Sequence, residues 1–136
     1  MSNVEISEEI RKNFHLFWDN FPFPVMLVYK DRTIIEANKA GQAIGCPVGT
    51  RCSDIGEKKF HAGCKANKAL REQAGIREVA YVDFMGQVLD SYWVPLAGSE
   101  DVYLHFSIDI TEYAADRLLP KKQEQSGCDC GCECSN

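Results

Sequence analysis

Pro24-Val-Met-Leu-Val-Tyr-Lys-Asp-Arg-Thr-Ile-Ile-Glu-Ala-Asn38 is the stretch whose reading decides the fold of this chain. Val25 to Tyr29 is a short apolar run, the Asp31-Arg32 pair suits a turn, and Thr33 to Glu36 resumes as a strand. The segment therefore reads as a β-hairpin. Asn38 stands where a side-chain oxygen can cap a short helix through Ile44, which Gly45 closes.

Upstream, Ser7 suits a helix cap, and Glu8 and Glu9 suit the positive helix end that follows. Ile10, Phe14, Phe17 and Trp18 then form one apolar stripe until Phe21-Pro-Phe-Pro24 stops the helix. Downstream, Gly45 to Gly56 reads as loop, and a longer helix is expected from about Lys58 to Ala74, ended by Gly75. Strands follow around Val79–Tyr81, Val88–Leu96 and Val102–Ile108, separated by turns at Met85-Gly86 and Gly98–Asp101. Three successive strands with tight turns make an antiparallel meander. Asp109 and Thr111 offer caps to a last helix, Thr111 to Leu119, which Pro120 ends. Two strands, helices and then three strands give an α+β domain with one antiparallel sheet. The middle helices must cover one sheet face and leave a cavity as the natural ligand site.

At 136 residues the chain suits one domain, and its 45% apolar content can supply an ordinary core. A net charge of -5 without a basic run argues against nucleic acid as partner. No stretch reaches the roughly 18 apolar residues that a membrane helix needs, so no membrane partner is expected. The acidic, polar N-terminus is unlike a signal peptide, and a cytoplasmic location with reduced thiols is expected. Seven cysteines is an odd number, so metal or redox chemistry is favoured over a disulfide framework.

The hairpin with Asn38, the short helix from Ala40 to Gly45, Trp93-Val-Pro-Leu96 and Asp109-Ile-Thr111 occur in the order found in PAS domains, which the chain resembles over about residues 20 to 113. The resemblance implies a five-stranded antiparallel sheet with helices on one face, to which this chain adds an N-terminal amphipathic helix. It also implies a pocket over the sheet for haem, flavin, a small metabolite or a metal cluster. Residues 1–20 are expected to form that extra helix, which packs on the sheet or pairs with a second copy, and the family's habit favours a homodimer. Residues 21–119 are the PAS-like domain and 120–136 a flexible cysteine-rich tail. The tail stands where family members carry an output domain, so a signal would pass to an unidentified protein partner in trans.

Some PAS domains carry Gly-x-x-Cys, a histidine and Cys-x-x-Cys in the middle loops. Gly49-Thr-Arg-Cys52, His61 and Cys64 are similar to that pattern, with Asn67 at the place of its last cysteine. With Cys46 they make a Cys₃His set, suited to tetrahedral zinc or to iron in a cluster, with His61 and Cys64 on one helical face. Buried cysteines also simply fill small apolar gaps. Haem-binding PAS domains imply a second use of His61, as an iron ligand; His15 and His105 have weaker cases. His105 should face opposite to Leu104 and Phe106 on its strand. In the tail, Cys128, Cys130, Cys132 and Cys134 alternate with other residues, a spacing suited to bridging several soft ions such as copper or zinc. Four thiolates would also suit an iron–sulfur cluster, and a reduced tail without ligand is the plainer reading.

These residues support a cytoplasmic PAS sensor or ligand-binding module, without catalysis, that responds to metal or redox state. A metal carrier that uses the tail and a haem sensor that uses His61 are the alternatives. Paired carboxylates, a serine triad and a phosphate loop are not supported. Asp83, Asp90 and Asp109 read as strand-edge or turn residues.

Overall fold

Val25, Leu27 and Val28 are each 1% exposed or less, so the first hairpin strand lies at the centre of the structure. The computed structural model describes residues 6–55 and 61–120. Its strands are β1 (Val25–Tyr29), β2 (Ile34–Ala37), β3 (Ile76–Val82), β4 (Gln87–Pro95) and β5 (Val102–Asp109). They form one antiparallel sheet in the order β2-β1-β5-β4-β3. The hairpin turn falls at Asp31 and Arg32: Arg32 is left-handed (φ 79°), and the Asp31 carboxylate accepts from the Thr33 N–H at 2.9 Å.

Alternation on the strands divides the sheet into two faces. On the back, Val25, Leu27, Val102 and Leu104 pack with Phe14 of helix α1 (Glu8–Trp18). On the front, Val28, Trp93 and Tyr103 pack with helix α3 (Ala66–Glu72), whose Ala66 and Ala69 are fully buried. The short helix α2 (Lys39–Ala43) follows the hairpin. The Ser7 hydroxyl caps α1 by accepting from the Ile10 N–H, as expected. The stripe on α1 packs on the sheet, but Phe17 is not part of it and is 74% exposed. At 3.6 residues per turn Phe17 lies roughly 60° round the helix from Phe14, on the flank of the docked line.

Two expected helices are corrected. The long helix from Lys58 to Ala74 is replaced by α3, which starts at Ala66; His61 to Cys64 form a turn closed by the Cys64 N–H on the His61 carbonyl. Gly63 within that turn is a poor helix former, and residues 58–60 lie outside those described. The cap of α3 is Gln73 and not Gly75: Gln73 takes the left-handed conformation (φ 51°), and its amide donates to the Leu70 and Ser99 carbonyls. The last helix is replaced by single 3₁₀ turns at Thr111–Tyr113 and Asp116–Leu118, because Ala114 and Ala115 between them are extended. Thr111 instead fastens the end of β5 to β4, its hydroxyl accepting from the Val88 N–H at 2.8 Å. Among the described residues no helix is long and apolar enough to cross a membrane.

Asn38 is fully buried and joins these parts. Its carbonyl oxygen accepts from the Val25 and Gly41 N–H groups, both at 2.9 Å. Its NH₂ donates to the carbonyls of Trp18 (2.9 Å) and Phe23 (3.0 Å). All four hydrogen-bonding positions of the amide are thereby used. Asn38→Ala would take the partner from the Val25 and Gly41 N–H groups and the Phe23 carbonyl, while the Trp18 carbonyl keeps the Phe21 N–H, at about 3 kcal/mol of stability. Asn38→Asp keeps the acceptor but turns a second carboxylate oxygen on the Trp18 and Phe23 carbonyls, so at pH 7 it should cost at least as much and should recover as acid protonates it; urea denaturation at pH 7 and pH 4.5 checks the order.

Helix α1 is also fastened by charge. Arg11 pairs with Glu36 of β2, and His15 bridges Asp19 (2.7 Å) and Glu36 (2.8 Å). The hydrogen bond to Asp19 raises the His15 pKa above 6.5, against an opposing effect of burial, and Glu36 adds to the rise. A raised folded pKa gives stability that is full below the unfolded value and is lost as pH rises through the folded one. Urea midpoints should therefore fall as pH is raised from 6 to 9, and His15→Gln should flatten that slope.

Candidate functional site

The front face of the sheet does not touch its helical cover everywhere, and a cavity of about 710 Å³ lies between them. Its floor is made by strand residues that point to the front: Met26, Tyr103, His105 and Ser107 with Leu89, Ser91, Trp93 and Glu78. The opposite wall comes from the segment after α2, with Ile44, Cys46, Pro47, Cys52 and Ile55, and from His61 and Cys64. The segment is tied to the sheet through its backbone. Ile34 N–H donates to the Thr50 carbonyl, Gly49 N–H to the Ile34 carbonyl and Cys52 N–H to the Arg32 carbonyl. Gly49 can follow this path because it takes a φ of 92°.

Register sets the floor chemistry. Trp93 and His105 are direct cross-strand partners, and their rings stack at 4.9 Å with 17° between planes. His105 Nδ1 lies 2.9 Å from the Tyr92 carbonyl. A carbonyl only accepts, so Nδ1 carries the proton and Nε2 keeps its lone pair. Burial lowers the His105 pKa and favours this neutral ring. Two pairs further along, the next on this face, Ser91 and Ser107 share a hydrogen bond of 2.8 Å, and Glu78 is the partner of Ser91 on its other side. His105 does face opposite to Leu104 and Phe106, as alternation requires. Trp93, Tyr103 and Phe84 line the cavity, whereas Tyr92 and Phe106 stack on each other at 4.9 Å on the back.

Cys46, Cys52, His61 and Cys64 all lie on the cavity wall. Among the described residues, no three His, Cys, Asp or Glu side chains are arranged to hold a metal ion. The thiols of Cys46 and Cys52 are raised by burial, that of Cys52 to about 11 with help from Cys64 beside it. A bound cation would reverse this, since a ligating thiol is deprotonated. His61 Nε2 is engaged by the Ile55 carbonyl at 2.5 Å, so haem ligation through that nitrogen would require breaking the bond. Asn67, which stands where the resembling pattern has its last cysteine, accepts from the Arg32 guanidinium at 3.0 Å. Cys128, Cys130, Cys132 and Cys134 lie outside the described residues.

The remaining candidates have structural partners. His15 is held in the ion pairs of α1. Asp90 is held by Arg77 at 2.7 and 3.0 Å, and Asp109 caps the Thr111 N–H at 3.0 Å. The Trp93–His105 stack and the Ser91–Ser107 pair were not legible in the sequence. Tyr103, His105 and Ser107 alternate on one strand, but only the register shows what stands beside each.

No family model matches the chain, and no curated protein matches it. Solved structures do. The PAS domain of BvgS from Bordetella pertussis superposes with a TM-score of 0.59 at 17% identity, over 77% of this chain and 89% of that one. A sensory box sensor histidine kinase from Vibrio cholerae gives 0.56 at 13%, over 81% and 100%. Histidine kinase ThkA, solved in complex with the response regulator protein TrrA, gives 0.52 at 19%, over 79% of this chain and 32% of that one. At these identities the likeness is one of fold, and the fold is that of PAS domains.

A thiol with a pKa near 11 carries about 100-fold less thiolate than one at the ordinary value of 9.0. Iodoacetamide at pH 8 should therefore alkylate Cys52 in the native protein about 100-fold more slowly than in urea. Peptide mapping by mass spectrometry reads the rate.

Proposed function

We propose that this chain is a sensory PAS module that binds a small ligand in the cavity and responds to metal or redox state through its thiols. The observation that carries the reading is the cavity itself: about 710 Å³, mostly apolar, with Trp93, Tyr103, Cys46, Cys52 and Cys64 on its walls. That volume is in the usual range for a small-molecule site, and a few polar groups among apolar walls are the usual lining. The module binds without catalysis. Burial raises the half-buried Cys46 and Cys52 thiols, which slows their attack on electrophiles and makes their response depend on an ion that displaces the proton or on a strong oxidant. Its signal passes to a partner protein in trans, an arrangement supported by the fold shared with a kinase that was solved with its response regulator. Leu16 and Phe17 on the outer side of α1 are 76% and 74% exposed and suit the homodimer expected from the sequence.

Trp93 packs in one cluster with Cys52 and Cys64, so its emission reports on those thiols. Trp18, on the opposite face, is removed as a signal by Trp18→Phe. In that background, Zn(II) or hydrogen peroxide should shift Trp93 emission, and Cys52→Ser with Cys64→Ser should abolish the shift. This readout is local to the cavity and so excludes metal captured by the tail cysteines. Emission unmoved by both reagents in folded protein would remove the metal and redox part of the reading.

A further inference from the structure

We infer that the cavity takes an uncharged, largely apolar molecule bearing one N–H or O–H donor, which it holds by donation to Nε2 of His105. The inference rests on the reading of the cavity as the ligand site and adds the chemical class of its occupant. The ring of His105 is fixed from two sides, by the Trp93 stack and by the bond from Nδ1 to the Tyr92 carbonyl. Nδ1 is bonded to the ring atom that carries the side chain, so it lies near the sheet and Nε2 lies on the far side. His105 is surrounded by protein but keeps accessible surface, and that surface lines the cavity. Among the described residues Nε2 has no hydrogen-bond partner. An acceptor on a largely apolar wall gains when a ligand donor takes its place as hydrogen-bond partner.

The rest of the lining defines the body of the ligand. Met26, Leu89, Trp93 and Tyr103 are apolar or aromatic, and among the described residues the lining includes no lysine or arginine. An anion would be desolvated there with no cationic side chain on the described lining to pair with; Arg32, 5.9 Å from the Tyr103 ring, is not part of that lining. Glu78, the carboxylate at the cavity edge, is already 3.8 Å from the Lys65 ammonium. A metal ion on Nε2 would find at most one further protein ligand among the described residues, where no ligating group of three assembles.

The test uses the reduced, metal-free full chain and two probes of one shape, 2-naphthol and its methyl ether, which lacks the donor. Calorimetry should show 2-naphthol binding at least tenfold more tightly than the ether. His105→Phe should abolish that preference while leaving the ether within about twofold of its wild-type affinity, and His105→Gln should restore part of it. A measurement free of any folding defect uses ¹⁵N-labelled histidine in the wild-type chain, where Nε2 of His105 should shift with 2-naphthol and stay still with the ether. Equal affinities, a preference that survives His105→Phe, or tighter binding of 2-naphthoate would each overturn the inference. An intense haem band lost in His105→Phe would overturn it too and give Nε2 to iron. Failure of every probe to enter would overturn it together with the cavity as ligand site. The response of Trp93 to zinc or peroxide is read separately and stands or falls by itself.

Discussion

The buried amide of Asn38 is the interaction on which the other parts depend. It joins the end of α1, the segment before β1, the first residue of β1 and the start of α2 with four hydrogen bonds at 2.9 to 3.0 Å. Each partner is a backbone group that needs a hydrogen bond once it is buried, and only the Trp18 carbonyl has a second one, from the Phe21 N–H. An apolar residue of equal size could fill the space and would satisfy none of them. The docking of α1 behind the sheet and the departure of the cavity wall in front of it are thus set by one side chain.

From that point the sheet serves two purposes. Its back is a packed layer of aliphatic and aromatic residues, closed by Phe14, Trp18, Phe21 and Phe106. Its front is packed only where the small residues Ala66 and Ala69 let α3 approach, and beside α3 it stays open. The thiols lie in that open half. Burial raises the Cys46 and Cys52 thiols, so their chemistry depends on what enters.

The hairpin, the cap at Asn38 and the three-stranded meander were legible because each is decided by neighbours in sequence: an apolar run, a turn pair, a glycine. The α3 boundary was not, because Gly63 and the tight turn at Cys64 act against an apolar pattern that would otherwise run on from Lys58. The final helix failed for a related reason, since Thr111 is used across the sheet to hold Val88. The candidate site was half legible. Cys46, Cys52, His61 and Cys64 do reach one cavity, but their convergence into a ligand set is not seen among the described residues. His105 was undervalued because its importance lies in its cross-strand neighbours, Trp93 and Met26, which are distant in sequence.

The cavity and α1 lie on opposite sides of a single sheet, and this determines how events in one reach the other. His105 and Phe106 are consecutive, so their side chains leave one peptide unit in opposite directions. Phe106 in turn meets Trp18, at 5.6 Å between rings, near the end of α1. Any change in the β5 backbone at His105 is therefore shared by Phe106 and, through it, by Trp18. The two sides are thus separated by the thickness of one strand, and Asn38 holds the helix end that Phe106 meets.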